Sequence, residues 1–235
     1  MRPIIKICCI TSIEEAQTAI AFGASAIGLV GEMPSGPGPI PDTLIREIAL
    51  STPPAVGTFL LTSETSVDDI VRHHQRTNTN TIQIVDALSR GTHAQLKAAL
   101  PSIKIVQVVH VLGEHSIDEA VEVSGQVDAL LLDSGNPHLR VKELGGTGRI
   151  HDWSLSRKIR DVARCPVFLA GGLRPENVRQ AIEQVQPFGI DACSGVRTNG
   201  RLDEKKLKQF IDNALHDRAD ETSVVQYTRR PPTEA

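Results

Sequence analysis

Two side chains able to move a proton close apolar runs in this chain. The first run, PIIKICC (3–9), ends in Cys8 and Cys9, and another, VDALLLD (127–133), ends in Asp133. If both runs are strands, successive residues point to opposite faces. Lys6 and Cys8 then share one face of the first strand, with Ile5, Ile7 and Cys9 on the other. The apolar set belongs against helices, so Cys8 is expected to face inward and Cys9 outward. A thiolate is a competent base once its pKa is lowered, and a carboxylic acid near it can donate a proton. Both residues also fit plainer roles, Cys8 as a small buried hydrophobe and Asp133 as a cap or loop partner.

A second chemistry is written in glycines. AGGLRPENV (170–178) reads as a strand end, a glycine turn at Gly171 and Gly172, and a helix start. CSGV (193–196) repeats the arrangement with Ser194 and Gly195. Glycine lets main-chain N–H groups approach a ligand closely, and a helix N-terminus adds positive partial charge. Two such turns side by side would make a phosphate site. GGTG (145–148) would supply a third glycine-rich wall or a lid.

These residues need a scaffold that gathers strand ends. Short Val/Ile/Leu-rich runs at 3–9, 25–30, 55–61, 81–85, 103–109, 127–133, 166–170 and 189–194 alternate with amphipathic segments, eight of each. Continuous apolar strands imply a parallel sheet buried on both faces. No GxGxxG turn follows the first strand, as an open dinucleotide-binding sheet would have. The pattern predicts an α/β fold, a parallel eight-stranded (β/α)8 TIM barrel, with its active site at the strand C-termini. Ser12 with Glu15, and Ser66 with Asp69, have the spacing of N-terminal caps; Gly23 should stop the first helix, and Pro175 should sit in the first turn of the seventh. The barrel is expected to occupy residues 1–215 as a single domain. The polar stretch HDRADETSVVQYTRRPPTEA (216–235) is expected to form a C-terminal tail.

Composition removes several alternatives. The net charge of −3 offers no electrostatic reason for nucleic acid, and one Trp, one Tyr and five Phe are too few for a base-stacking platform. No apolar run reaches the roughly 20 residues needed to cross a bilayer. MRPIIKICC is too quickly interrupted for a secretory signal, so the expected location is cytoplasmic, with no membrane partner. Four cysteines, at 8, 9, 165 and 193, include no CxxC pair and no His at zinc-finger spacing. Reduced thiols and no metal site are the expectation.

KICCIT, followed by a helix and GASAIGLV, resembles the opening of the phosphoribosylanthranilate isomerases, barrels of tryptophan biosynthesis whose usual form is KICGIT…GADAIGFVF. The resemblance continues through AVGTF, IQI, LLLD, GGTGRIHDWSL, LAGGLRPENVRQAI and GIDACSGV, covering the chain to about residue 215. It implies a cofactor-free Amadori rearrangement of a small phosphorylated sugar substrate. By motif, Cys8 would be the general base and Asp133 the general acid. The main chain around Gly171, Gly172, Ser194 and Gly195 would hold the phosphate. Asp191 matches a family aspartate near the reacting amine, and Gln83 matches the glutamine of the family's QLHG run.

The departures lie at the aglycone end. Cys9 stands where the family has glycine, and QLHG has become Gln83-Ile84-Val85-Asp86. The family loop SPR-x-I is MPSGPGPI here, with Gly38 in the place of an arginine that meets the substrate carboxylate. SGVE has become SGVR, which makes Arg197, and Arg140 in the basic loop SGNPHLRVKELGGTG, candidates to replace that guanidinium. An isomerase of a different phosphoribosyl amine and a noncatalytic phosphosugar-binding barrel are the competing readings. Oligomeric state is not encoded in any motif.

Overall fold

Alternation along the strands sorts the side chains into two cores. A computed structural model describes residues 2–215. Its barrel strands are β1 (Ile4–Ile7), β2 (Ala26–Val30), β3 (Gly57–Thr62), β4 (Thr81–Ile84), β5 (Lys104–His110), β6 (Ala129–Asp133), β7 (Val167–Leu169) and β8 (Gly189–Ala192). Between and after them run α1 (Ile13–Phe22), α2 (Asp42–Ser51), α3 (Val67–Thr77), α4 (His93–Ala99), α5 (His115–Ser124), α6 (Trp153–Val162), α7 (Val178–Val185) and α8 (Glu204–Leu215). Each strand pairs in parallel with the next, and β8 returns to β1 through the register Ile4↔Gly189 to Ile7↔Ala192. The result is a closed eight-stranded (β/α)8 barrel, as the alternation predicts. The tail expected over residues 216–235 lies outside the described residues. No helix among them is long and apolar enough to cross a membrane.

Ile5, Ile7, Leu60, Ile82, Leu130 and Ile190 belong to the outer core, between sheet and helices. Phe59, Val106, Val108, Leu131 and Phe168 fill the inside of the barrel. Phe59 and Phe168 meet edge to face at 6.0 Å. Above them sits Lys6, with no exposure to solvent, its Nζ 5.3 Å from the Phe59 ring centre and 2.6 Å from Asp191 Oδ2. Gly28 on β2 leaves the room for this. A Cβ there would stand 2.6 Å from Cys8 Sγ and 3.1 Å from Lys6 Nζ.

The helix punctuation is mostly as predicted. Ser12 Oγ accepts from Glu15 N at 3.1 Å, Ser66 Oγ from Asp69 N at 3.2 Å, and Gly23 caps α1 at φ 114°. The Ser12–Glu15 pair departs from a reciprocal capping box, because the Glu15 carboxylate accepts from Thr11 N at 3.0 Å rather than from Ser12. Pro175 lies before α7 and not in it. Asn177 Oδ1 accepts from Arg174 N at 2.8 Å, closing a turn that delays the helix to Val178. β8 also stops early, at Ala192, and Ser194–Val196 curls into a 3-10 turn.

α8 closes the ring by setting Phe210 into the outer core, with no exposed surface. Phe210→Ala should lower the unfolding free energy by about 3–5 kcal/mol through lost burial and a cavity. Leu50→Ala, on the 63% exposed side of α2, should change it by less than about 0.5 kcal/mol. Urea denaturation of the two variants checks both values.

Candidate active site

The site begins where the β1–β8 ladder ends. Cys8 N donates to Ala192 O at 2.8 Å, which holds Cys8 at the strand end with its thiol turned inward. Cys8, Gln83, Asp133 and Asp191 line one cavity at the C-terminal mouth of the barrel. The turn after β7, the residue Ser194, the loop around Gly36 and the GGTG stretch complete its wall. GGTG is therefore part of the site. Gly145 has φ 145°, and a Cβ there would stand 2.8 Å from Asp133 Oδ2.

Electrostatics follow from burial. Burial pushes the Cys8 thiol up to about 11, outweighing the pull of the Lys6 ammonium in the other direction. Burial also works against the Lys6 charge, but Asp191 and Cys8 together hold its pKa above the ordinary value. Asp133 is raised by burial, against the main-chain N–H of Ser134, which donates to its Oδ1 at 2.7 Å. The resting site thus holds an ammonium beside a thiol, and a carboxyl biased toward its acid form. His110, paired in register with Asp133 and donating from Nε2 to Val85 O at 3.0 Å, carries no sequence motif that points to it.

Two buried oxygens in this cavity have no partner, Gln83 Oε1 and Asp191 Oδ1. Buried polar atoms are nearly always satisfied, so both oxygens are available to a donor that enters the cavity.

The glycine turns meet as expected. Gly171 and Gly172 have φ 80° and 65°. A Cβ on Gly195 would stand 2.9 Å from Arg174 Cα, so only glycine lets the β8 turn press against the β7 turn. Gly171, Gly172 and Ser194 line the cavity itself, while Gly195 forms the seam behind them.

Four expectations are corrected. Cys9 does not face the helices. It adopts φ 61°, the left-handed region that favours glycine, which ends the alternation and turns its side chain into the inner core. Nor are all thiols reduced: Cys9 and Cys193 form a disulfide with Cα atoms 5.9 Å apart, leaving Cys8 and Cys165 free. The family's glycine at position 9 was the available signal of a positive φ. Arg197, expected at the substrate, lies behind the site. Its Nη1 and Nη2 donate to the two Glu15 carboxylate oxygens at 2.9 and 3.0 Å, and Nη2 also reaches the carbonyls of Cys8 and Cys9. Arg140 is exposed and lines no part of the cavity.

Gly38 now has a local cause. Its φ is 89°, and a Cβ there would stand 2.6 Å from Cys9 Cβ. A side chain at position 9 leaves no room for one at 38. Among the described residues lining the cavity there is no lysine or arginine.

A family model described as N-(5'phosphoribosyl)anthranilate (PRA) isomerase matches residues 5–213. N-(5'-phosphoribosyl)anthranilate isomerase 2 of Methanosarcina mazei is 38% identical, over 91% of this chain and 94% of its own. The isomerase of Methanothrix thermoacetophila is 36% identical, over 88% and 95%. Among solved structures, the Thermotoga maritima phosphoribosyl anthranilate isomerase superposes with a TM-score of 0.74 at 32% identity, over 91% of this chain and 98% of its own. A phosphoribosyl anthranilate isomerase in complex with reduced 1-(o-carboxyphenylamino)-1-deoxyribulose 5-phosphate gives 0.72 at 30%, with the same coverage. Barrel, strand-end residues and glycine turns agree with this likeness over nearly the whole chain: it belongs to the N-(5'-phosphoribosyl)anthranilate isomerase family.

Proposed function

We propose that this chain isomerises N-(5'-phosphoribosyl)anthranilate to 1-(o-carboxyphenylamino)-1-deoxyribulose 5-phosphate by general acid–base catalysis, without a cofactor. The observation that carries this reading is one cavity lined by Cys8, Asp133, Asp191 and both phosphate-type glycine turns. The 5'-phosphate sits against the main chain of Gly171, Gly172 and Ser194, with Gly195 holding the two turns together. Asp133, biased toward its protonated form by burial, gives its proton to the ring oxygen, and the furanose opens to a Schiff base. The Cys8 thiolate then removes the proton from the second sugar carbon, and the enolamine formed tautomerises to the ketose. Lys6 supplies the positive charge beside Cys8 that makes the thiolate accessible. Asp191 faces the reacting amine, and Gln83 offers its unpartnered oxygen to the sugar or the amine.

A second reading rests on the aglycone wall. With no cation lining the cavity and no room for one at position 38, the same ring opening would serve a phosphoribosyl amine without a carboxylate. Methanosarcina mazei carries relatives named isomerase 1 and isomerase 2, at 32% and 38% identity. Comparing kcat/KM on phosphoribosylanthranilate and phosphoribosylaniline separates the readings. Anthranilate turnover at least tenfold better supports the first; the reverse order supports the second.

Cys8→Ala and Asp133→Asn should each lower kcat by about 10²–10⁴-fold while inorganic phosphate still competes with substrate. Product formation, followed by chromatographic separation of the substrate from its equal-mass isomer, checks this, and variants that keep more than a tenth of the rate would remove the assigned roles. With the Cys8 thiol held at about 11, its thiolate fraction grows about tenfold per pH unit through neutrality. Alkylation of Cys8 by iodoacetamide, followed at the peptide level, should therefore keep rising from pH 7 to pH 9. A plateau below pH 8 would contradict the assigned burial effect.

A further inference from the structure

The Cys9–Cys193 bond lies at the one seam where the two halves of the site meet. Cys9 follows the assigned base in the chain, and Cys193 precedes Ser194 of the phosphate turn. The β1–β8 ladder runs from Ile4↔Gly189 to Ile7↔Ala192, and its last hydrogen bond is Cys8 N to Ala192 O. Beyond that point the two chains diverge into separate turns, and the disulfide carries the connection one residue further. Both cysteines line the cavity with Cys8 and Ser194, so reagents that enter the site reach the bond.

We infer that the Cys9–Cys193 disulfide is a positioning staple, which fixes the phosphate turn against the base-bearing turn and which a thiol reductant releases. The inference rests on the reading that Ser194 and its neighbours hold the substrate phosphate. Three features support it. Cys9 keeps a left-handed backbone, at φ 61°, that a non-glycine residue adopts only when its surroundings impose it. Cys193 stands immediately before a turn of only three residues, Ser194–Val196, so a displacement of Cys193 passes directly to the phosphate-binding main chain. Arg197 ties the same two turns a second time, through the carbonyls of Cys8 and Cys9 and the Glu15 carboxylate. That second tie keeps the base in place when the disulfide opens, so opening should affect phosphate binding more than chemistry.

Formation of the bond is balanced by a low-molecular-weight disulfide. The Cys9 and Cys193 thiols lose two protons and two electrons, and the small disulfide leaves as two thiols. Dithiothreitol drives the reverse reaction.

The test uses the full chain, equilibrated with oxidised glutathione or with dithiothreitol. Thiols counted in denaturant should number two and four, since the chain has four cysteines. Calorimetry with inorganic phosphate, which needs no turnover, should show at least threefold weaker binding in the reduced form. KM for phosphoribosylanthranilate should rise by a similar factor, with kcat changed less than twofold. Cys193→Ser should match the reduced form under both conditions. Equal phosphate affinity in two forms with different thiol counts would overturn the staple alone. So would four thiols after glutathione treatment, or a Cys193→Ser protein that still responds to dithiothreitol. Phosphate binding to neither form would overturn the phosphate assignment together with the staple.

Discussion

A lysine ammonium with no solvent contact, 2.6 Å from an aspartate on the neighbouring strand, sets the terms for everything at the mouth of this barrel. A closed eight-stranded barrel must fill its interior, and most layers are filled by branched or aromatic side chains. Here the upper layer holds Lys6 and Asp191, in register on β1 and β8. Removing either partner would leave a buried charge alone, at a cost of about 3–5 kcal/mol. A well-packed apolar layer would serve stability as well as this pair does. Gly28 on β2 and the Phe59 ring on β3 are the accommodation made for it. The proposed base and acid stand beyond it, Cys8 two residues after Lys6 and Asp133 at the end of β6.

That geometry explains which parts were legible in the sequence. Strand period and helix caps depend on residues within a few positions of one another, and they predicted the barrel, its strand order and the inward face of Lys6 and Cys8. The AGGL turn was legible for the same reason, since Gly171 and Gly172 take a local backbone that no other residue adopts easily, whereas Gly195 of CSG is needed for close approach to the β7 turn. What failed was alternation carried one residue too far. β1 ends at Ile7, so the two-residue period has no authority over Cys9, whose positive φ is imposed by contacts with β8 and the loop after β2. Arg197 was misread for a related reason. Its partner Glu15 lies 182 positions away, and Glu15 had already been assigned to a local cap. Pairings at such separation are made by the fold and leave no periodic trace.

Three of the departures from the family pattern, at positions 9, 38 and 197, are physically connected. Placing Cys9 where glycine is usual puts a Cβ at the floor of the loop after β2. That Cβ lies where a side chain at position 38 would begin. Gly38 is then the residue that lets the loop close over Cys9, and the family arginine cannot return without a smaller residue below it. Cys193 is the covalent partner of Cys9, and Arg197 donates to the carbonyls of Cys8 and Cys9 from behind the site. Each change is unfavourable or unexplained when taken alone. Together they exchange a charged contact at the aglycone end for a cross-linked seam between the base and the phosphate turn. The residues proposed as acid, base and phosphate turn, Asp133, Cys8 and Gly171, Gly172, Ser194 and Gly195, are untouched by the exchange. On the proposed assignment, divergence would bear on which amine is accepted and how rigidly the phosphate is held, with the residues assigned to ring opening left in place.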